Sequence, residues 1–148
     1  PSMLARALQV KIDVVEEDPF EHGRRAVLNL GHTAGHALER LSDFMLRHGQ
    51  AVSIGMVVAA RLAVALDMAE PALAKRIEAV LSRWGLPVRI PSTPAFEDVE
   101  GIWRAMAHDK KKRGRKLRWI LPRAIGEVEI VEDVPPDLVK SVLKTLRL

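Results

Sequence analysis

The chain has 148 residues, 48% of them hydrophobic and 28% charged, which is enough for one domain with its own core and unlike a disordered or membrane-embedded composition. It contains no cysteine, so disulfides and thiolate metal sites are excluded, and any metal must be held by histidine and carboxylate. The formal net charge of +4 is a local excess: residues 109–116, DKKKRGRK, hold six Lys/Arg against one Asp, leaving 17 basic and 18 acidic residues elsewhere.

In chain order, Met3, Leu4, Ala7, Leu8, Val10, Ile12, Val14 and Val15 give a mostly helical pattern to about Glu16. Residues 17–23, EDPFEHG, end it, because Pro19 and Gly23 both disfavour continuation. This first stretch is amphipathic and ends acidic, so no secretory leader is expected. Pro1 stands where Met would open a nascent chain, as in a processed protein or an excised domain. The next helical stretch, residues 25–48 (RAVLNLGHTAGHALERLSDFMLRH), gathers three histidines and an asparagine. On a helix, His32 and His36 are four apart and point the same way. His48 follows a turn expected around Ser42 and Asp43 and opens the next helix, so a third imidazole can return toward the first two. That pattern points to a metal or acid–base site. Gly31 and Gly35 fall inside this helical stretch, where each glycine is unfavourable by about 1 kcal/mol relative to alanine. Their presence implies a close approach, either by a packed helix or by a ligand.

Residues 48–67 are apolar nearly all round, with Arg61 the only cation inside the helix, which predicts a buried helix. No apolar run is expected to reach the roughly 18–20 residues of a membrane span. Pro71 suits the first turn of a helix over residues 71–84, with Gly85 as its stop. Residues 86–94 carry three prolines and read as a connector. Phe96, Val99, Ile102, Trp103 and Met106 mark a short helix to about His108. Residues 117–121 (LRWIL) and 127–131 (EVEIV), separated by 122–126, read as two short strands in a hairpin-like pair. Leu138, Val139, Val142, Leu143 and Leu146 form a last helix. The fold class is mainly α, about six helices with one small β element near the C-terminus.

At this point the residues resemble a known family. LNLGHTAGHALE, then HGQAVSIGMVVAARLA, then DKKKRGRKLRWILPRAIGEVEI, is similar to 3-dehydroquinate synthase in order and spacing. The resemblance runs from KIDVVEED at Lys11 to the strand pair, and it implies the helical C-terminal domain of that family. The whole of residues 1–148 is then one helical metal- and substrate-binding domain, without the family's N-terminal NAD-binding domain. The resemblance implies a phosphate-eliminating lyase of the shikimate pathway, on the route to chorismate and the aromatic amino acids. Its substrate is 3-deoxy-D-arabino-heptulosonate 7-phosphate, its product 3-dehydroquinate, its cofactors Zn2+ (or Co2+) and NAD, and its location the cytoplasm, with homodimers usual.

Carried over by position, the resemblance implies that His32 and His48 are zinc ligands, a third ligand, a glutamate, lying in the missing portion. His36 then contacts the substrate phosphate and assists proton transfer, which replaces the reading of His32 and His36 as a metal pair. Asn29 and Lys110 match phosphate-contacting positions, Lys11 and Arg25 hold the substrate carboxylate, and Glu21 lies near the substrate hydroxyls and a water chain. These types suit their tasks: guanidinium and ammonium groups pair with carboxylate and phosphate, and a zinc on two imidazoles and a carboxylate keeps a position open for hydroxyls. Two residues depart from the family pattern, Gln50 in place of a glutamate after HisGly, and Ala34 in place of a phenylalanine. Two other readings stand beside the first: another sugar-phosphate cyclase of inosose or valiolone type, and a helical module binding nucleic acid through Lys110 to Lys116. The second lacks interleaved aromatics and a recognisable reader fold, and nucleic acid is not the expected partner.

Overall fold

The computed structural model describes residues 2–20, 23–111 and 117–148, with the backbone alone at 109–111. Among these are six helices, α1 (Met3–Glu17), α2 (His32–Leu41), α3 (His48–Ala65), α4 (Pro71–Arg83), α5 (Val99–Lys111) and α6 (Pro136–Leu146). Short 3-10 turns lie at Arg24–Asn29 and Pro94–Phe96, and strands β1 (Arg118–Ala124) and β2 (Glu127–Glu132) form an antiparallel pair.

α3 is the axis of the fold. It packs against α2, α4, β1 and α6, and Ile54, Val57, Val58 and Leu62 are fully buried along it. Burying each such side chain contributes about 1.5–3 kcal/mol, so the all-round apolar sequence of α3 specifies the centre of the core. At 18 residues and a mean hydropathy of 1.3, α3 also has the length and apolarity of a bilayer-crossing helix, against the expectation of none. Its apolar surface is instead covered by the neighbouring helices and β1. α2 and α3 lie closest of all: a Cβ on Gly55 would sit 1.9 Å from the Gly31 carbonyl oxygen.

The helical stretch expected across residues 25–48 is broken. Arg24–Asn29 is a 3-10 turn, and Gly31, at φ +81°, is the left-handed residue from which α2 starts at His32. The apolar periodicity runs across the break, so only the glycine marks it. Between the close-packed helix and the ligand offered above for the two glycines, the structure shows the helix: a Cβ on Gly31 would meet the Met56 nitrogen and Val52 oxygen of α3 at 2.7 Å. β1 extends past its expected end at 121 through Pro122, with an irregular register between Pro122 and Ala124. A proline is tolerated there because, in a two-stranded sheet, the far edge of β1 has no ladder partner. α5 likewise runs beyond the expected end at His108, to Lys111.

α1 stands apart. Val14 is its only buried residue, while Met3, Leu4, Leu8 and Val10 are exposed, and the helix touches the remainder chiefly through Arg24–Asn29.

The single cation of α3 is tied to α4. Glu78 accepts Arg61 Nε at 2.7 Å and Arg89 Nη1 at 3.4 Å. Burial opposes ionisation of Glu78, but the hydrogen bond and charge of Arg61, then the charge of Arg89, outweigh it and hold the carboxyl below its ordinary value of 4.5. A lowered carboxylate pKa contributes stability above the unfolded-state value and loses it as pH falls through the folded-state value. Denaturation followed from pH 7 to pH 3 is therefore expected to show a loss of stability that is smaller in Glu78→Gln, where the Glu78 contribution is missing.

Candidate functional site

Two helix starts and one turn build the site. α2 begins at His32 and places His36 and Glu39 one and two turns further along the same face. Asp43 and Phe44, at φ 50° and 59°, reverse the chain after α2, and α3 then opens on His48. The ring centroids of His32, His36 and His48 lie 5.2, 5.4 and 5.7 Å apart in pairs. One ring nitrogen from each lies within 4.8 Å of the others. His32 is half-buried, and His36 and His48 are open to solvent.

Two of the three rings have a partner that fixes their proton. His32 Nδ1 lies 3.3 Å from the Leu30 carbonyl oxygen, and His48 Nδ1 lies 3.2 Å from Glu39 Oε2. Carbonyl and carboxylate oxygens only accept, so each neutral ring carries its proton on Nδ1 and leaves Nε2 bare. Among the described residues His36 has no such hydrogen bond. Partial burial, followed by the repulsion that protonated His32 and His48 rings would exert, lowers the pKa of His36 and favours its neutral form. The donors suit a borderline cation such as zinc. Tetrahedral Zn–N bonds of about 2.1 Å need nitrogens about 3.4 Å apart, a small closure from the separations present.

Among the described residues, the other predicted site residues lie on α1 and on the turn before α2. Arg25 and Asn29 lie on the 3-10 turn leading into α2, Arg25 half-buried and Asn29 exposed. Arg25 Nη1 donates to the Pro19 carbonyl at 3.2 Å, and Lys11 is exposed on α1. Glu21, the Lys110 side chain and residues 112–116 of the basic cluster lie outside the described residues. A hollow of about 400 Å³ lined by Val64, Asp67, Glu70 and Arg123 lies at the opposite end of α3 from His48 and shares no residue with the trio.

Sequence reasoning missed two residues here. Asp18 is buried, and its Oδ2 accepts the backbone N–H of Gly23 at 2.8 Å and of Arg25 at 2.9 Å. It thereby sets the path of the chain into the Arg24–Asn29 turn. Its position just before Pro19 was the available signal. Glu39 was the other, nine residues before its partner and visible only once the 42–47 turn is known. The two departures from the family pattern are absorbed locally. Gln50 Oε1 accepts the Arg47 N–H at 3.1 Å and closes the start of α3, an acceptor role that needs no charge. Ala34 is 1% exposed within the core.

A family model described as 3-dehydroquinate synthase C-terminal matches residues 1–112. Among curated proteins, the 3-dehydroquinate synthase of Thermosynechococcus vestitus is 47% identical over 148 residues, covering 98% of this chain and 39% of the relative. That of Rhizobium meliloti is 45% identical over 144 residues, covering 95% and 38%. Among solved structures, 2-epi-5-epi-valiolone synthase from Streptomyces hygroscopicus with NAD+ and Zn2+ bound has a TM-score of 0.81 at 29% identity, over 97% of this chain and 39% of that one. A 2-deoxy-scyllo-inosose synthase complexed with carbaglucose-6-phosphate, NAD+ and Co2+ has a TM-score of 0.79 at 26% identity, over 93% and 39%. The chain thus spans about two-fifths of the length of the relatives it matches.

Proposed function

Because the chain belongs to the 3-dehydroquinate synthase family, we propose that it is the metal- and substrate-holding part of an enzyme converting 3-deoxy-D-arabino-heptulosonate 7-phosphate to 3-dehydroquinate and phosphate. The observation that carries this reading is the convergence of His32, His36 and His48, with Nε2 bare on the first and last. His32 and His48 would hold the metal, with the third ligand supplied from outside these residues. When bound, the metal would polarise substrate hydroxyls, and NAD would supply the transient oxidation. The sequence contains no G-x-G-x-x-G phosphate loop, so NAD is assigned to the part of the relatives that this chain does not span.

The chain's own residues then bind and orient. Arg25 and Lys11 would take the substrate carboxylate, and Asn29 and Lys110 the phosphate. His36, without a fixed partner among the described residues, would contact the phosphate and pass a proton there, with Glu21 near the substrate hydroxyls. Orientation of this kind supplies several kcal/mol of barrier lowering. The cytoplasmic location and the homodimer usual in the family belong to the same reading.

A chimera of this chain with the N-terminal portion of the Thermosynechococcus relative tests it. Phosphate release is expected from the carboxylated heptulosonate phosphate and not from uncarboxylated sugar phosphates. The reverse preference would make it a cyclase of the inosose or valiolone type, the reading that Lys11 and Arg25 disfavour. With one ligand supplied from elsewhere, the 148-residue chain by itself is expected to take up zinc weakly or not at all. Calorimetry showing tight one-to-one uptake, lost in His32→Ala, would overturn that expectation.

A further inference from the structure

We propose that Glu39 is a positioning residue that orients His48, holding its neutral ring with the proton on Nδ1 and Nε2 turned toward the metal. Its role rests on the metal-site reading above, yet its first consequence is present without metal. Glu39 Oε2 lies 3.2 Å from His48 Nδ1, and the Glu39 side chain is 18% exposed against 55% for His48. A shielded carboxylate therefore restrains an open ring.

The backbone around Glu39 is itself fixed. Its carbonyl oxygen accepts Ser42 Oγ at 2.8 Å and the Phe44 N–H at 3.0 Å, in the turn that sends the chain toward α3. Thus one residue both closes α2 and reaches across the turn to the first residue of α3. His32 is oriented differently, by the Leu30 carbonyl of its own chain entry. An imidazole whose far nitrogen donates to a carboxylate is a stronger and better-aimed metal donor, and loss of such a partner typically weakens metal binding about 10- to 100-fold. A neutral imidazole without a partner favours the proton on Nε2, the nitrogen the metal needs.

The test uses the 148-residue chain labelled with 15N-histidine, at a pH above the ordinary histidine range, by long-range 1H–15N correlation. The metal-free chain is expected to show His48 with its proton on Nδ1. Glu39→Gln, whose amide oxygen can still accept, should keep that form, and Glu39→Ala should shift His48 toward the Nε2 proton. Zinc added to the chimera with the N-terminal portion restored should then perturb Nε2 of His48, with at least about tenfold weaker response in Glu39→Ala. The Nε2-protonated form in the parent, or an unchanged ring in a folded Glu39→Ala chain, would overturn the role of Glu39. A ring with the expected proton that ignores zinc even in the chimera, where the third ligand is restored, would support Glu39 as the orienting group and overturn the metal-site reading alone.

Discussion

Gly55→Ala is expected to destabilise the chain by about 3 kcal/mol, the upper range for overpacking, because the added carbon has nowhere to go. It would lie 1.9 Å from the Gly31 carbonyl oxygen and 2.9 Å from the Gly35 nitrogen. Those obstacles are backbone, so no side-chain rotation relieves them. The clash can be resolved only by moving α2 away from α3, the most intimate pair of helices in the fold. Gly49→Ala on the same helix is the matched control: nothing lies within 4 Å of its added carbon, so its effect should stay within about 1 kcal/mol. Urea denaturation followed by circular dichroism separates the two, since the midpoint should fall far more for Gly55→Ala. The same displacement should damage the site, because His32 rides on α2 and His48 on α3. A Gly55→Ala chain as stable as the parent would mean that α2 and α3 do not meet as closely as described.

Much of this was legible in the chain itself. An all-round apolar stretch can be stable in water only if covered on every side, so Val52 to Val64 read as the core helix without further information. Pro71 at a helix start and the alternation in EVEIV read equally directly. What the periodicity hid were local events that obey no period. The apolar pattern of Val27, Leu28 and Leu30 continues smoothly toward Ala34, and only the left-handed Gly31 reveals that the helix restarts there. Pro122 looked like the end of a strand because proline lacks a donor, which matters only where the missing N–H would face a partner strand. Asp18 and Glu39 act across turns, and their partners were fixed by the backbone path rather than by spacing. The return of His48 to His32 was readable from the turn between them, whereas the exposure of Lys11 on α1 and of Asn29 on the Arg24–Asn29 turn followed from no spacing in the sequence.

His48→Ala and His36→Ala should separate two roles that the clustering alone leaves together. Three imidazole nitrogens within 4.8 Å of one another could in principle all be ligands. The hydrogen bonds argue otherwise, since among the described residues His32 and His48 each have Nδ1 anchored and His36 does not. In the chimera with the N-terminal portion restored, His48→Ala and His32→Ala are expected to lose bound zinc and to slow turnover about a thousandfold, in line with the several kcal/mol a Lewis acid supplies. His36→Ala should keep its zinc within a few-fold while turnover falls about 10²- to 10⁴-fold, the usual worth of a positioned proton-transfer group. Metal content by atomic absorption, measured beside phosphate release, reads both quantities from one preparation. If His36→Ala empties the site as thoroughly as His48→Ala, the trio is a three-histidine metal cage and proton transfer must be assigned to another group.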